Sequence, residues 1–165
     1  MPEQVIHDFL NSFILPDWET LPDFGLYLDQ VMGFIERTVP RLDDSLMLTR
    51  SMVNNYVKLK LVDPPKGKKY SRESLSQLLM IRELKQIFTI DTMRELLHPD
   101  DCTDTHAIYA IFQQAQRENA DSFRSSGTPL QFALEAAACH ALCILKLQQE
   151  KTLSCSENQP CEASK

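Results

Sequence analysis

The sequence predicts a mostly α-helical protein with one short β-hairpin set between two of its helices. Apolar residues recur at i, i+3, i+4 spacing along most of the 165 residues, and only four glycines interrupt them. The strongest turn signal, Pro64-Pro65-Lys66-Gly67-Lys68, falls between two such helical patterns. At this length, a composition that is 43% hydrophobic and 24% charged suits one compact domain with helices added at either end.

From the N-terminus, Val5, Ile6, Phe9, Leu10, Phe13 and Ile14 mark an amphipathic helix over Glu3 to Leu15 that Pro16 stops. Asp17 to Gly25 reads as a loop pinned to the core by Trp18, Leu21 and Phe24. A second helix, Leu26 to Val39, sets Leu28, Val31, Met32, Ile35 and Val39 on one side and ends at Pro40. Thr49 is a suitable N-cap for a third, whose buried side is Met52, Val53, Tyr56, Val57 and Leu59. Leu61-Val62 is expected to run antiparallel to Lys69-Tyr70 across the basic turn. Ser71 caps a helix reaching Phe88, with Leu75, Leu78, Leu79, Ile81, Leu84 and Ile87 inside. Asp91 is expected to cap a short helix to Leu97, and two longer helices follow over Thr105–Phe123 and Pro129–Lys151.

Helix, helix, basic hairpin, helix is the order of a winged helix-turn-helix, which sets its second helix in the major groove and its wing over the neighbouring backbone. The expected layout is an N-terminal helix and loop over 1–25 and the winged helix-turn-helix over 26–98. A helical dimerisation or effector region over 99–151 and a disordered tail over 152–165 complete it.

The chain carries a net charge of −6, yet residues 41–86 hold ten basic and five acidic residues, a local +5, leaving −11 on the remainder. A basic segment on an acidic body is the asymmetry of a nucleic-acid binder. On the third helix Arg50, Ser51, Asn54, Asn55 and Lys58 share the side opposite the apolar one. Arg and Asn donate in pairs to guanine and adenine edges, whereas Ser and Lys suit phosphate oxygens. Lys66, Lys68 and Lys69 in the turn, with Arg72 beside it, are the expected phosphate contacts. A solvated polar face is the alternative for the helix taken alone.

Tyr56, Leu61-Val62-Asp63-Pro64 and Tyr70-Ser71-Arg72-Glu73-Ser74-Leu75, followed by the short segment Gln86 to Leu97, carry a resemblance. Residues Leu48 to Leu97 resemble the DNA-binding domain of MerR-type transcriptional regulators, roughly a third of the chain. Asn54 stands where that family usually has Arg, and Lys60 where it usually has Gly. The resemblance implies a homodimer on double-stranded DNA. Over its whole length the layout is similar to a bacterial domain-of-unknown-function family in which such a segment is followed by further helices, and this implies no activity.

Other chemistry finds weaker support. Five cysteines are an odd number, and Cys139 and Cys143 sit four apart in a helical pattern that disfavours a disulfide, so reduced thiols and a cytoplasmic protein are expected. Cys139-His140-Ala141-Leu142-Cys143 lacks the further ligands of a four-coordinate zinc site, so neither metal nor cofactor is expected. His98, Asp100, Asp101, Asp104 and His106 read as capping and loop residues. Without a phosphate loop or nucleophile elbow, no catalytic residue is assigned and no enzyme is expected. The apolar run Phe132–Leu147, broken by Glu135, His140 and Lys146, reads as too short to span a bilayer, and no membrane partner is expected. A small-molecule effector, if one exists, is expected against Ile108–Phe112 and Phe132–Ile144. The function these features favour is sequence-specific DNA binding in transcriptional regulation. The alternative is a protein-interaction adaptor that keeps the winged-helix shape without binding DNA.

Overall fold

The computed structural model of the chain describes residues 8, 11–38, 47–99, 104–122 and 129–157. Among them the protein is mostly helical, with a single two-stranded antiparallel sheet, and the chain divides into two compact units, residues 1–125 and 126–165. The first unit runs from a 3-10 turn at Trp18–Thr20 through β1 (Leu26–Tyr27), α1 (Leu28–Thr38), α2 (Arg50–Lys58), β2 (Lys69–Tyr70), α3 (Arg72–Leu84), α4 (Ile90–Leu97) and α5 (Thr105–Ser122). The second holds α6 (Pro129–Glu157), six residues longer than the sequence predicts.

The centre of the first unit is α3, in which the nine residues from Ser74 to Arg82 are all buried. β2, α4 and α5 pack around it. Leu75, Leu78, Leu79, Met80 and Ile81 fill the core together with Val31, Ile35, Val53, Leu61 and Met93. Each such side chain contributes roughly 1.5–3 kcal/mol by leaving water. A helix enclosed on every side must also satisfy its polar residues. Ser76 Oγ donates to the Glu73 carbonyl at 2.8 Å, and the buried Arg82 meets Glu83 Oε1 at 2.7 Å. α5 also straps down the chain before the 3-10 turn: Tyr109 Oη and Gln113 Nε2 each donate to the Pro16 carbonyl at 2.8 Å. Trp18 stacks on the His106 ring at 4.6 Å, and Leu21 is buried, so the 17–25 loop is pinned as its residues predict. Phe24 is not one of the pins, being 66% exposed.

Local signals set most helix ends. Thr49 Oγ1 accepts the Met52 amide and Ser71 Oγ the Ser74 amide. For α4 the cap is Thr89, accepting from Thr92, and not Asp91, which lies inside the first turn and pairs with Arg94. α3 ends at Leu84 rather than Phe88, leaving Ile87 60% exposed. The expected first helix falls mainly outside the described residues.

The hairpin differs from expectation in its partner. Lys66 and Lys69 close a tight turn, exchanging backbone hydrogen bonds of 2.9 and 3.0 Å, with Gly67 and Lys68 at φ +56° and +69°. Positive φ at both central residues is the twist that suits a two-residue antiparallel turn. Leu61-Val62, however, does not pair with β2. Both of its side chains are buried in the core, and its backbone follows the closure of the preceding helix, with Leu61 N–H donating to the Tyr56 carbonyl at 2.9 Å and Asp63 N–H to Gln77 Oε1 at 2.8 Å. β2 instead pairs with β1, Leu26 opposite Tyr70 and Tyr27 opposite Lys69. Gly25 makes this approach feasible, because a Cβ there would lie 2.8 Å from Lys69 Cβ.

Candidate nucleic-acid interface

α2 divides as its periodicity predicts. Val53 and Tyr56 are buried, Met52 and Val57 half-buried, and Arg50, Ser51, Asn54, Asn55 and Lys58 exposed. Leu59, expected inside, is partly exposed as the C-cap. Ser51, Asn54, Asn55 and Lys58 share a shallow surface concavity of about 550 Å³ with Met52. No acid occurs in α2, and desolvation raises the Tyr56 pKa, in keeping with its place in the core.

The end of α2 is closed by a reciprocal pair of backbone bonds: Lys60 N–H donates to Val57 O at 3.1 Å and Leu61 N–H to Tyr56 O at 2.9 Å. This closure puts the residue after the cap in the left-handed region, and Lys60 stands there at φ +56° where glycine is favoured. α4 holds the same stretch from outside. Arg94 Nη2 donates to the Leu59 carbonyl at 3.0 Å, and His98 Nε2 lies 3.1 Å from the Leu61 carbonyl. The candidate reading helix is thus fixed at its cap, along its apolar side and at its exit.

The exposed lysines Lys66, Lys68 and Lys69 stand together on the turn. Lys69 Nζ lies 5.4 Å above the ring of the exposed Tyr27, a cation–π distance. Arg72 is placed differently from these lysines: its side chain is 23% exposed, lies over Trp18 at 5.8 Å and reaches Asp23 at 3.9 Å. Beneath the turn a groove of about 610 Å³ mixes Lys66 and Lys69 with Asp23, Asp63 and Glu73. The hydrogen bond from Ser71 and that from its own backbone hold the Glu73 carboxyl below its ordinary pKa, with Arg72 and Lys66 adding to the effect.

Two contacts at this surface have no local signal in the sequence. Arg50 Nη1 meets Asp29 Oδ1 of α1 at 2.5 Å, which places an acid against an otherwise acid-free helix. Asp63, at the root of the turn, is gripped by α3: its N–H donates to Gln77 Oε1 at 2.8 Å, its Oδ2 accepts from Gln77 Nε2 at 3.0 Å, and its carbonyl accepts from Ser74 Oγ. Gln77 also reaches Thr105 at the start of α5. Only the juxtaposition of helices far apart in sequence brings these groups together.

Several of the other candidates make packing or capping contacts. His106 stacks on Trp18, and its amide is capped by Asp104 Oδ1 at 3.2 Å; Asp100 and Asp101 lie outside the described residues. Ile108 and Phe112 pack partly buried against the core. Cys139 and Cys143 are free thiols, and burial followed by Glu150 pushes the Cys143 pKa up. No cluster of three metal-ligating side chains occurs among the described residues. Within α6, the 21-residue stretch Leu130–Glu150 is long and apolar enough to cross a membrane by length and composition, which corrects the length expected from its apolar run.

No curated protein and no solved structure matches this chain. A family model does match, over residues 16–116, from the segment strapped by α5 through most of α5 itself. That span exceeds half the sequence and contains the whole candidate interface, and the family is described as a domain of unknown function: the chain belongs to the DUF1836 family.

Proposed function

We propose that the chain is a sequence-specific DNA-binding protein, a transcriptional regulator in which α2 enters the major groove and the Lys66–Lys69 turn lies over the adjacent backbone. The observation that carries this reading is the α2 surface. Ser51, Asn54, Asn55 and Lys58 are exposed together on a helix without acids, while Val53 and Tyr56 anchor its other side. A rigid helix bearing two asparagines has the donors and acceptors to address adenine, and nearby lysines address phosphate.

Two further features support a winged helix-turn-helix in the MerR style. The β1–β2 pair ties the basic turn to the start of α1, giving strand, helix, helix, turn and strand in that order. Lys60 adopts a left-handed conformation at the position where the MerR pattern places glycine. As partner for α6 we assign a second copy of the chain, because Leu130, Leu134, Leu142 and Leu145 are all exposed there. Glu135 and Lys146 interrupt its apolar surface, and charged side chains within a bilayer are costly.

The test is selection of bound sequences from a random duplex library with the full-length protein, repeated with Asn55→Ala. A palindromic or spaced-repeat motif lost in the variant supports the reading. A second reading, a protein-interaction adaptor that keeps the winged-helix shape without binding DNA, draws on the net charge of −6 and the Asp29–Arg50 contact, both of which weaken attraction to phosphate. Absence of enrichment, with only weak salt-sensitive binding, favours the adaptor.

A further inference from the structure

We propose that Asp29 sets the specificity of this interface by withholding Arg50 from phosphate in non-cognate complexes; the inference rests on the DNA-binding reading above. α2 begins with Arg50 and has no acid in its first turn. Its N-terminal amides are already the positive end of the helix dipole, so two positive features coincide. Left alone, that corner attracts any phosphate, whatever the base sequence beside it.

Asp29, carried on the first turn of α1, occupies the corner instead, with Oδ1 2.5 Å from Arg50 Nη1. The side chains are 66% and 67% exposed, so DNA has access to the pair as a unit. A guanidinium has five donors, and the contact with Asp29 engages one end of the fork. The remaining donors can meet a guanine edge while Asp29 keeps its contact. Binding a phosphate is different, because it either displaces Asp29 or brings two anions close together. Asp29 therefore penalises backbone contacts more than base contacts, which is discrimination by repulsion of the wrong partner. Tyr27, two residues earlier, pairs with Lys69 and carries its ammonium over its ring, so Asp29 stands two residues along the chain from the strand that meets the basic turn.

The test uses the full-length chain with Asp29→Asn, Arg50→Ala and the double variant. Each is titrated at fixed salt against a random-sequence duplex and against the duplex enriched by selection. Asp29→Asn is expected to raise affinity for random duplex about fivefold, the upper end for an exposed charge contact, and to change the enriched duplex by no more than about twofold. The salt dependence on random duplex is expected to steepen by about one phosphate contact. In the Arg50→Ala background both effects disappear. An equal change on the two duplexes, no change on either, or a gain that persists without Arg50 overturns the role of Asp29 while leaving DNA binding intact. A wild-type chain that binds neither duplex overturns the functional reading itself.

Discussion

Gln77, buried at the centre of α3, holds Asp63 through both atoms of its amide, accepting the Asp63 backbone N–H at 2.8 Å and donating to its carboxylate at 3.0 Å. The arrangement fixes the root of the basic turn to the most deeply packed helix. Replacing Gln77 with Leu leaves the Asp63 amide without its acceptor, and unfolding in urea is expected to become easier by about 1–3 kcal/mol. Amide exchange across Lys66–Lys69 should quicken by more than that of α5; unchanged protection of the turn would show that it is held by other contacts.

Lys60 sits at φ +56°, a conformation that costs a residue with a Cβ roughly 1–2 kcal/mol. Glycine removes that cost but gives the unfolded chain more freedom, worth about 0.5–1 kcal/mol in the other direction. Lys60→Gly is expected to be neutral to about 1 kcal/mol stabilising. A clear loss of stability in urea would contradict the closure described for α2.

Gly25 has no room for a methyl group, since its Cβ would lie 2.8 Å from Lys69 Cβ across the β1–β2 pair. Gly25→Ala should push the strands apart and destabilise the protein by about 1–3 kcal/mol. Amide exchange at Tyr27 and Lys69 checks it, and a full-stability variant with both amides still protected would refute it.

Burial raises the Glu83 pKa above its ordinary 4.5, outweighing the pull of Arg82 in the opposite direction. The folded carboxyl therefore holds a proton to higher pH than the unfolded one. Its contribution to stability falls as pH rises from the ordinary value through the raised folded value. Glu83→Gln cannot titrate, so the stability of this variant relative to wild type should improve as pH rises from about 4.5 towards neutrality. A relative stability that stays flat or declines over that range would refute the assignment.

Asn55→Ala is expected to cost about 1–3 kcal/mol on a selected duplex and little on random DNA, as expected of a base contact. Lys68→Ala should weaken both duplexes and flatten the salt dependence by about one unit. Anisotropy titrations over a salt series separate the two patterns, and equal losses for both variants on both duplexes would contradict the division of roles.

Much of this molecule follows from residues within four positions of one another. The amphipathic division of α2, the Thr49 and Ser71 caps and the tight turn at Gly67-Lys68 follow from side-chain spacing and backbone preference, which need no distant partner. Membership of a family described as a domain of unknown function agrees with the coarser resemblance read from the sequence, over residues 16–116. Only the tertiary structure decided the strand partner of Lys69-Tyr70. Local pattern offered Leu61-Val62, eight residues away, but that segment is drawn into the closure of α2 and the core, and Leu26-Tyr27 supplies the pairing instead. The same holds for Asp29 against Arg50 and Gln77 against Asp63. Each joins groups on separate elements whose meeting depends on how α1, α2 and α3 pack, and packing is set by the sum of many apolar contacts that no short stretch of sequence contains.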